Sequence, residues 1–307
     1  MSFRKFDPVT LLLTALRAVL KWPRGSKRLK TYQILPSVAD PAVTKYTDPN
    51  LVIFDRKITA FAPLAVFLPG TDGKPRNVRA LLRVVAKQGY RAIALKYNDT
   101  PAVDQVCPKD PDVGCAVAFR RMRVYGVGPS RYIHNSVAES IVGRLTSLLK
   151  ELDRRHPSEN WSGYLRDGGP NWERIVVSGI SQGAGMAAYI AKTNGVARVV
   201  LFSGPWDVAG PRRSPAPWLS TSSVTPPERW FAGYSSHEKK ARTIARAFDA
   251  LAVPPDHIEL FDLDLPALPP GATKEYSHHA ITVRDERYAP KWQTLFGLAQ
   301  QWLESGG

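Results

Sequence analysis

The chain contains 307 residues, of which 44% are hydrophobic and 22% charged, so it can bury the core of one large α/β domain or of two small ones. No run approaches the roughly 18 uninterrupted apolar residues of a transmembrane helix, so the sequence indicates no membrane-spanning helix. The net charge is +15. Because the basic residues are dispersed outside an N-terminal segment and residues 119–123, and no nucleic-acid motif is present, a solvated basic surface is favoured over a nucleic-acid role.

The N-terminal segment has the pattern of a basic amphipathic helix. Apolar residues recur at helical spacing from Val9 to Leu20, and basic residues surround them. Such a helix can lie on an anionic membrane or pack against the domain, and the pattern leaves both open. The segment is a poor match to a signal peptide, because Arg17 interrupts its apolar stretch. We predict an N-terminal extension over residues 1–30 and a soluble protein that is cytoplasmic or peripherally membrane-associated, with secretion left open.

Strand and helix patterns alternate through the rest of the chain. Apolar runs predict strands over residues 31–35, 50–58, 63–68, 91–97, 174–178, 197–203, 229–235 and 257–262. Helical periodicity predicts helices over residues 78–85, 137–152, 184–193, 238–251 and 292–303. Residues 98–130 show neither pattern and are predicted to be irregular. The alternation predicts βαβ units, and therefore one α/β domain over residues 31–307 with a mostly parallel sheet flanked by helices.

The most informative stretch is Gly179-Ile180-Ser181-Gln182-Gly183, which lies between a predicted strand and a predicted helix. A strand, a Gly-x-Ser-x-Gly turn and a helix together form a nucleophile elbow. The serine takes a strained backbone conformation there, and glycines two positions away on either side remove side chains that would clash with the strand and the helix. The turn also places Ser181 at a helix N-terminus, where unpaired N–H groups favour developing negative charge.

On these residues the chain resembles the α/β-hydrolase superfamily, and within it the bacterial serine esterases and lipases with a Ser-Gln-Gly-Ala-Gly elbow. The resemblance covers residues 31–303 and is supported by Leu68-Pro69-Gly70-Thr71 after the third strand and by late histidines. It implies hydrolysis of small-molecule or lipid-like carboxylic esters through an acyl-enzyme, with no metal, no organic cofactor and a minimal lid. Two other functions stay open: acyl transfer on the same residues, and membrane-associated binding by a catalytically silent fold.

The resemblance also implies the order serine, acid, histidine along the chain. A serine hydroxyl is a weak nucleophile and needs a neighbouring base to take its proton. His278 and His279 are the candidate bases in the loop predicted after the last strand. We predict His278, because Ser-His ahead of Ala280-Ile281-Thr282 is similar to the histidine loop of related esterases, and His279 stays open.

Two acids compete for the role of orienting that base. Glu238 follows the seventh predicted strand, the position that the superfamily uses most often, whereas Asp207 follows the sixth. We predict Glu238, although a Glu at this spacing from Ser235 is also typical of a capping box. The resemblance implies an oxyanion hole formed by the backbone N–H groups of Gln182, next to the nucleophile, and of Thr71, after the third strand.

Three further features each allow two roles. Cys107 and Cys115 lie in one Pro/Asp/Gly-rich loop. They can form a disulfide or remain two free thiols. No nearby histidine completes a set of zinc ligands with them. Residues 104–114 can border the site or lie apart from it. Four aromatic residues beside the Pro/Ser-rich segment 210–227 can line an acyl pocket or pack in the core: Trp206, Trp218, Trp230 and Phe231.

Overall fold

The computed structural model describes residues 28–263 and 274–297, so the predicted N-terminal helix and residues 298–303 of the predicted last helix lie outside the described residues. The central sheet has these strands: β1 (Leu29–Ile34), β2 (Asn50–Asp55), β3 (Leu64–Leu68), β4 (Arg91–Ala94), β5 (Ile175–Ile180), β6 (Arg198–Phe202), β7 (Trp230–Tyr234) and β8 (Ile258–Leu260). The α-helices are α1 (Pro36–Ala39), α2 (Arg79–Lys87), α3 (Val103–Val106), α4 (Cys115–Tyr125), α5 (Ile141–Arg155), α6 (Gln182–Thr193), α7 (Ala241–Ala250), α8 (Lys274–Ile281) and α9 (Ala289–Phe296). Within the described ranges, no helix has both the length and the apolar character needed to cross a membrane.

The strands lie in the order β1-β2-β4-β3-β5-β6-β7-β8. β2 pairs antiparallel with β1 and β4, and every other neighbouring pair in the sheet is parallel. Parallel neighbours end at the same edge of a sheet, so the loops that follow these strands meet there. The predicted mostly parallel sheet flanked by helices is confirmed. Two short antiparallel ribbons lie outside it, Leu165–Arg166 with Gly169–Pro170 and Val208–Ala209 with Ser214–Pro215.

The sheet is covered on both faces, which explains its continuously apolar strands. All five residues of β3 are buried. Leu64, Val66 and Leu68 pack in the cluster that contains residues of α4, α5 and α6. The alternate residues, Ala65 and Phe67, pack in the other cluster, with α2 and α9. Successive side chains of a strand point to opposite faces, so a strand buried on both sides is apolar at every position.

The prediction that residues 98–130 are irregular is wrong, because they contain α3 and the three-turn helix α4. The helical pattern of α4 is hidden by Arg120 and Arg123, which lie on its buried side, 1% and 0% exposed. Arg123 donates a hydrogen bond of 2.8 Å to the carbonyl of Pro101. A buried, hydrogen-bonded arginine occupies a position that the periodicity argument expects to be apolar.

Candidate active site

The predicted site residues meet at one edge of the sheet. Ser181 directly follows β5, Thr71 lies in the loop after β3, and Asp207 follows β6. Glu238 comes after β7, and His279 lies in α8, the helix after β8. The carboxyl ends of parallel strands share this edge, and it is where open α/β sheets bind their ligands. The parallel pairing of the strands therefore brings five separate segments together.

Ser181 occupies the strained turn of the Gly-x-Ser-x-Gly sequence. Its φ of 56° and ψ of −117° lie outside the regions that L-residues favour. Its backbone N–H donates to the carbonyl of Phe202 at 2.9 Å, which ties the turn to β6. A Cβ on Gly183 would lie 1.9 Å from the carbonyl oxygen of Leu68, and one on Gly179 would lie 2.4 Å from the carbonyl carbon of Gly183. Both glycines are therefore required for the turn to lie this close to the sheet and the helix.

Glu238 is buried, and its two carboxylate oxygens have different partners. Oε2 lies 2.7 Å from Nδ1 of His279. Oε1 accepts hydrogen bonds from the Ser203 hydroxyl at 2.7 Å and from the backbone N–H of Ser235 at 3.0 Å. Ser235 and Glu238 lie in the turn before α7, which begins at Ala241, so the bond from Ser235 closes this turn and is not a helix cap. Glu238 makes this contact and the histidine contact together. A carboxylate accepts, so Nδ1 of His279 carries the proton and Nε2 is left to take another.

His279, and not the predicted His278, is the histidine that contacts Glu238. The two residues lie in helix α8 rather than in a loop. Neighbouring residues on an α-helix point about 100° apart, so the two rings cannot face the same partner. The ring of His278 lies beside that of His237, with centroids 5.1 Å apart, whereas His279 lines the same pocket as Ser181. The geometry therefore places His279, and not the predicted His278, against Glu238 and in the pocket at Ser181.

Asp207, the alternative acid, pairs with Arg120. The guanidinium donates to both carboxylate oxygens, through Nη2 and through Nε at 3.1 Å, and the indole N–H of Trp218 donates to Oδ2 at 2.9 Å. Both charged side chains are 1% exposed. Arg120 also donates to the backbone carbonyl of Gln182 at 3.0 Å, and a Cβ on Gly185 would lie 2.1 Å from its guanidinium. Asp207 therefore holds the arginine that supports the first turn of α6.

This pairing predicts that Asp207→Asn lowers the free energy of unfolding by about 3–5 kcal/mol, because it leaves the buried charge of Arg120 uncompensated. Denaturant unfolding followed by circular dichroism measures the change. Asp249→Asn, at an exposed position on α7, is the matched control and should stay within about 0.5 kcal/mol of the wild type. A fully stable Asp207→Asn protein without ester turnover would instead identify Asp207 as the catalytic acid.

The two predicted oxyanion-hole residues flank Ser181. Gln182 is the first residue of α6, and N–H groups in the first turn of a helix have no partner within the helix. On the other side, a Cβ on Gly70 would lie 3.3 Å from Cβ of Ser181. The loop after β3 therefore passes against the nucleophile, and Thr71, the next residue, lines the pocket. Both segments therefore lie next to the nucleophile.

A pocket of about 260 Å³ opens at Ser181. Its wall includes Thr71, His279 and Trp206, together with Asp104 from α3. The indole of Trp206 lies beside the imidazole of His279, with ring centroids 5.1 Å apart. Residues 104–114 therefore border the site, through Asp104. The pocket combines the proposed nucleophile and base with polar and aromatic side chains, as binding pockets do.

The four candidate aromatic residues have different roles. Trp206 lines the pocket. Trp218 packs edge-on against Tyr189, with ring centroids 5.8 Å apart. Trp230 donates through its indole N–H to a backbone carbonyl at 3.0 Å, and Phe231 stacks on an imidazole 4.0 Å away. The pocket interpretation therefore holds for Trp206, and the packing interpretation holds for the other three.

Cys107 and Cys115 form a disulfide, the first of the two states that the sequence left open. Their Cα atoms are 5.5 Å apart, a usual distance for this bond. Cys107 directly follows α3, and Cys115 begins α4. The bond therefore joins the segment that carries Asp104 to the helix that carries Arg120.

Comparison with solved structures gives matches at low sequence identity. Esterase B from Lactobacillus rhamnosis matches over 97% of this chain and 96% of its own, with a TM-score of 0.50 and 13% identity. The chain has the α/β-hydrolase fold. Esterase 2 from Thermogutta terrifontis matches over 94% of this chain and 98% of its own, with a TM-score of 0.46 and 16% identity. A hormone-sensitive lipase from a metagenome library matches over 96% and 93%, with a TM-score of 0.48 and 11% identity. No protein-family model and no curated protein sequence matches the chain.

Within this α/β-hydrolase fold, sequence reasoning missed Arg120. Its helix was predicted to be irregular, and its charge was counted with a basic surface, although the residue is buried. One signal was present: Gly185 is a further glycine inside the first turn of α6, beyond the two that the elbow itself requires. A glycine in a helix costs about 1 kcal/mol relative to alanine, so it indicates close approach by another group.

Proposed function

We propose that this protein is a serine hydrolase that cleaves carboxylic esters through an acyl-enzyme. The observation that carries the proposal is that Ser181, in its strained turn, lines the same pocket as His279, whose Nδ1 lies 2.7 Å from the buried Glu238. Nucleophile, base and orienting acid are the three parts that activation of a serine requires. The name of esterase B, a protein of the same fold, agrees with this chemistry.

In the first half-reaction, Ser181 Oγ attacks the ester carbonyl while His279 Nε2 takes the hydroxyl proton. The carbonyl oxygen becomes an oxyanion that accepts hydrogen bonds from the backbone N–H groups of Thr71 and Gln182. The C–O bond to the alcohol then breaks, and His279 returns the proton to the departing alkoxide. Glu238 stays ionised and stabilises the imidazolium that forms between these two transfers.

In the second half-reaction, a water molecule attacks the acyl-Ser181 carbonyl, and His279 takes its proton. The same backbone donors hold the second oxyanion. Collapse of this intermediate releases the carboxylic acid and returns the proton to Ser181 Oγ. Ester and water are consumed, acid and alcohol are formed, and the protein regains its starting state. A pocket of about 260 Å³ lies below the usual range of drug-sized sites, which supports short esters as substrates.

A fluorophosphonate probe tests the proposal directly. It phosphonylates a serine whose hydroxyl is activated by a base and next to an oxyanion hole, and it leaves ordinary serines unmodified. We expect one label per chain, located on the peptide that contains Ser181 by mass spectrometry, and no label on Ser181→Ala or on heat-denatured protein. Folded wild-type protein that stays unlabelled, or Ser181→Ala that is labelled equally, would contradict the proposal and favour a catalytically silent fold.

A further inference from the structure

A small recess beside the nucleophile is built from polar groups that the proposed mechanism does not use. It measures about 10 Å³ and is lined by Asp104, Arg120, Ser181, Gln182, Trp206 and Asp207. This volume is about the space that a single oxygen-sized group needs. Arg120 and Asp207 neutralise each other through their ion pair. We call this space the Asp104 recess.

Two of the residues that line the recess, Gln182 and Trp206, carry a buried N–H group without a partner in the described part of the chain. The side-chain Oε1 of Gln182 accepts from Arg120 Nη1 at 3.2 Å and from the backbone N–H of Val103 at 3.3 Å. These two donors fix which end of the carboxamide is the oxygen. The other end, Nε2, is buried and has no hydrogen-bond partner among the described residues, and the same is true of the indole Nε1 of Trp206. Buried N–H groups without partners are costly, so both indicate a group that they bind.

The recess also offers an acceptor, the carboxylate of Asp104. Across residues 28–263 and 274–297, no other side chain forms a hydrogen bond or ion pair with it. Burial raises the pKa of Asp104; the nearby charges of Lys240 and Arg120 lower it, and that of Asp207 raises it. Asp104 also lines the larger pocket at Ser181, so a substrate bound there reaches this carboxylate without entering the core.

We propose that the Asp104 recess binds a hydroxyl group of the substrate, and that the protein prefers small esters with a hydroxyl close to the scissile bond. A hydroxyl both donates and accepts, so it can donate to Asp104 and accept from Gln182 Nε2 or Trp206 Nε1. An ammonium group has no acceptor for those N–H groups, and a carboxylate has no donor for Asp104. This inference rests on the proposed ester hydrolysis and assigns its substrate class.

Matched ester pairs test this assignment. Ethyl lactate against ethyl propionate places the hydroxyl on the acyl part, and glycerol monoacetate against propyl acetate places it on the alcohol part. Each kcat/KM is divided by the rate of alkaline hydrolysis to remove intrinsic reactivity. We expect at least one hydroxyl ester to exceed its match by about tenfold or more, which is the range for a hydrogen bond to a charged group. The ammonium-bearing dimethylaminopropyl acetate should show no such preference over propyl acetate.

Variants of Asp104 connect the preference to the recess. The ratio of hydroxyl to apolar ester should fall by about tenfold in Asp104→Ala and fall less in Asp104→Asn, which keeps an amide oxygen of similar size. Asp249→Asn, an acid on the exposed face of α7, should keep the wild-type ratio. A wild-type ratio near one, a preference for the ammonium ester, or an unchanged ratio in both Asp104 variants would overturn the inference while ester hydrolysis itself stands. Absence of turnover on every ester would instead reject the proposed function.

Discussion

Replacing Ser181 by alanine should lower kcat/KM for p-nitrophenyl acetate by about 10⁴-fold or more. The variant has no hydroxyl to form the acyl-enzyme, so any remaining acceleration must come from binding and from the oxyanion donors alone. Stopped-flow measurement on the wild type should also show a burst of p-nitrophenol if deacylation is slower than acylation. Steady-state kinetics on both proteins, corrected for spontaneous hydrolysis, measures the loss.

Ser222→Ala is the matched control for this experiment, because Ser222 is exposed and lies outside the pocket. It should keep wild-type turnover within about twofold, as expected for a surface substitution. Thermal unfolding of both variants shows whether each is folded. A folded Ser181→Ala protein with wild-type turnover would mean that ester cleavage proceeds without this hydroxyl, and the acyl-enzyme mechanism would be rejected.

Replacing His279 should lower turnover strongly, whereas replacing His278 should not. His279→Ala removes the imidazole held 2.7 Å from Glu238, and we expect a loss of about 10³-fold or more in kcat. His278→Ala removes a ring that lies beside His237, and we expect a change of less than about threefold. Steady-state kinetics on the two variants under identical conditions shows which of the two adjacent histidines acts as the base.

Glu238→Gln provides an internal check on this pair. The amide nearly preserves the shape of the side chain but removes the negative charge, which stabilises the imidazolium and selects the His279 tautomer. We therefore expect a loss in kcat that lies between the losses for His279→Ala and His278→Ala. The reverse result, an inactive His278→Ala protein and an active His279→Ala protein, would restore the sequence-based choice. It would also require α8 to turn relative to β7 when substrate binds.

Local sequence was sufficient where one short segment carries the whole physical argument. The elbow is such a case, since strand, glycines, serine and helix are consecutive, and each glycine is required by an approach that the motif itself implies. The candidate acid is an intermediate case. Chain order put Glu238 ahead of Asp207. The spacing from Ser235 predicted a local bond, which forms in the turn before α7 rather than as a helix cap. Local spacing could not show that the opposite oxygen contacts a histidine 41 residues away.

Local sequence failed where the outcome depends on which way a residue faces. His278 and His279 are adjacent and chemically identical, and only the rotational phase of α8 against β7 distinguishes them. Arg120 shows the same limit in another form. Its charge predicts exposure, whereas its burial depends on Asp207, which approaches from 87 residues further along the chain. Without that partner, a guanidinium would not be placed against the first turn of α6.

The alternation of strands and helices, apart from α1, α3, α4 and α8, and the strand-serine-helix turn at Ser181 were predicted from the sequence alone, because apolar alternation and the glycine-flanked serine act over a few residues. The contact between His279 and Glu238, the pairing of Asp207 with Arg120, and the polar recess beside Ser181 were visible only in the tertiary structure. Each of these depends on which distant side chains share one small space, and neither spacing nor composition contains that information.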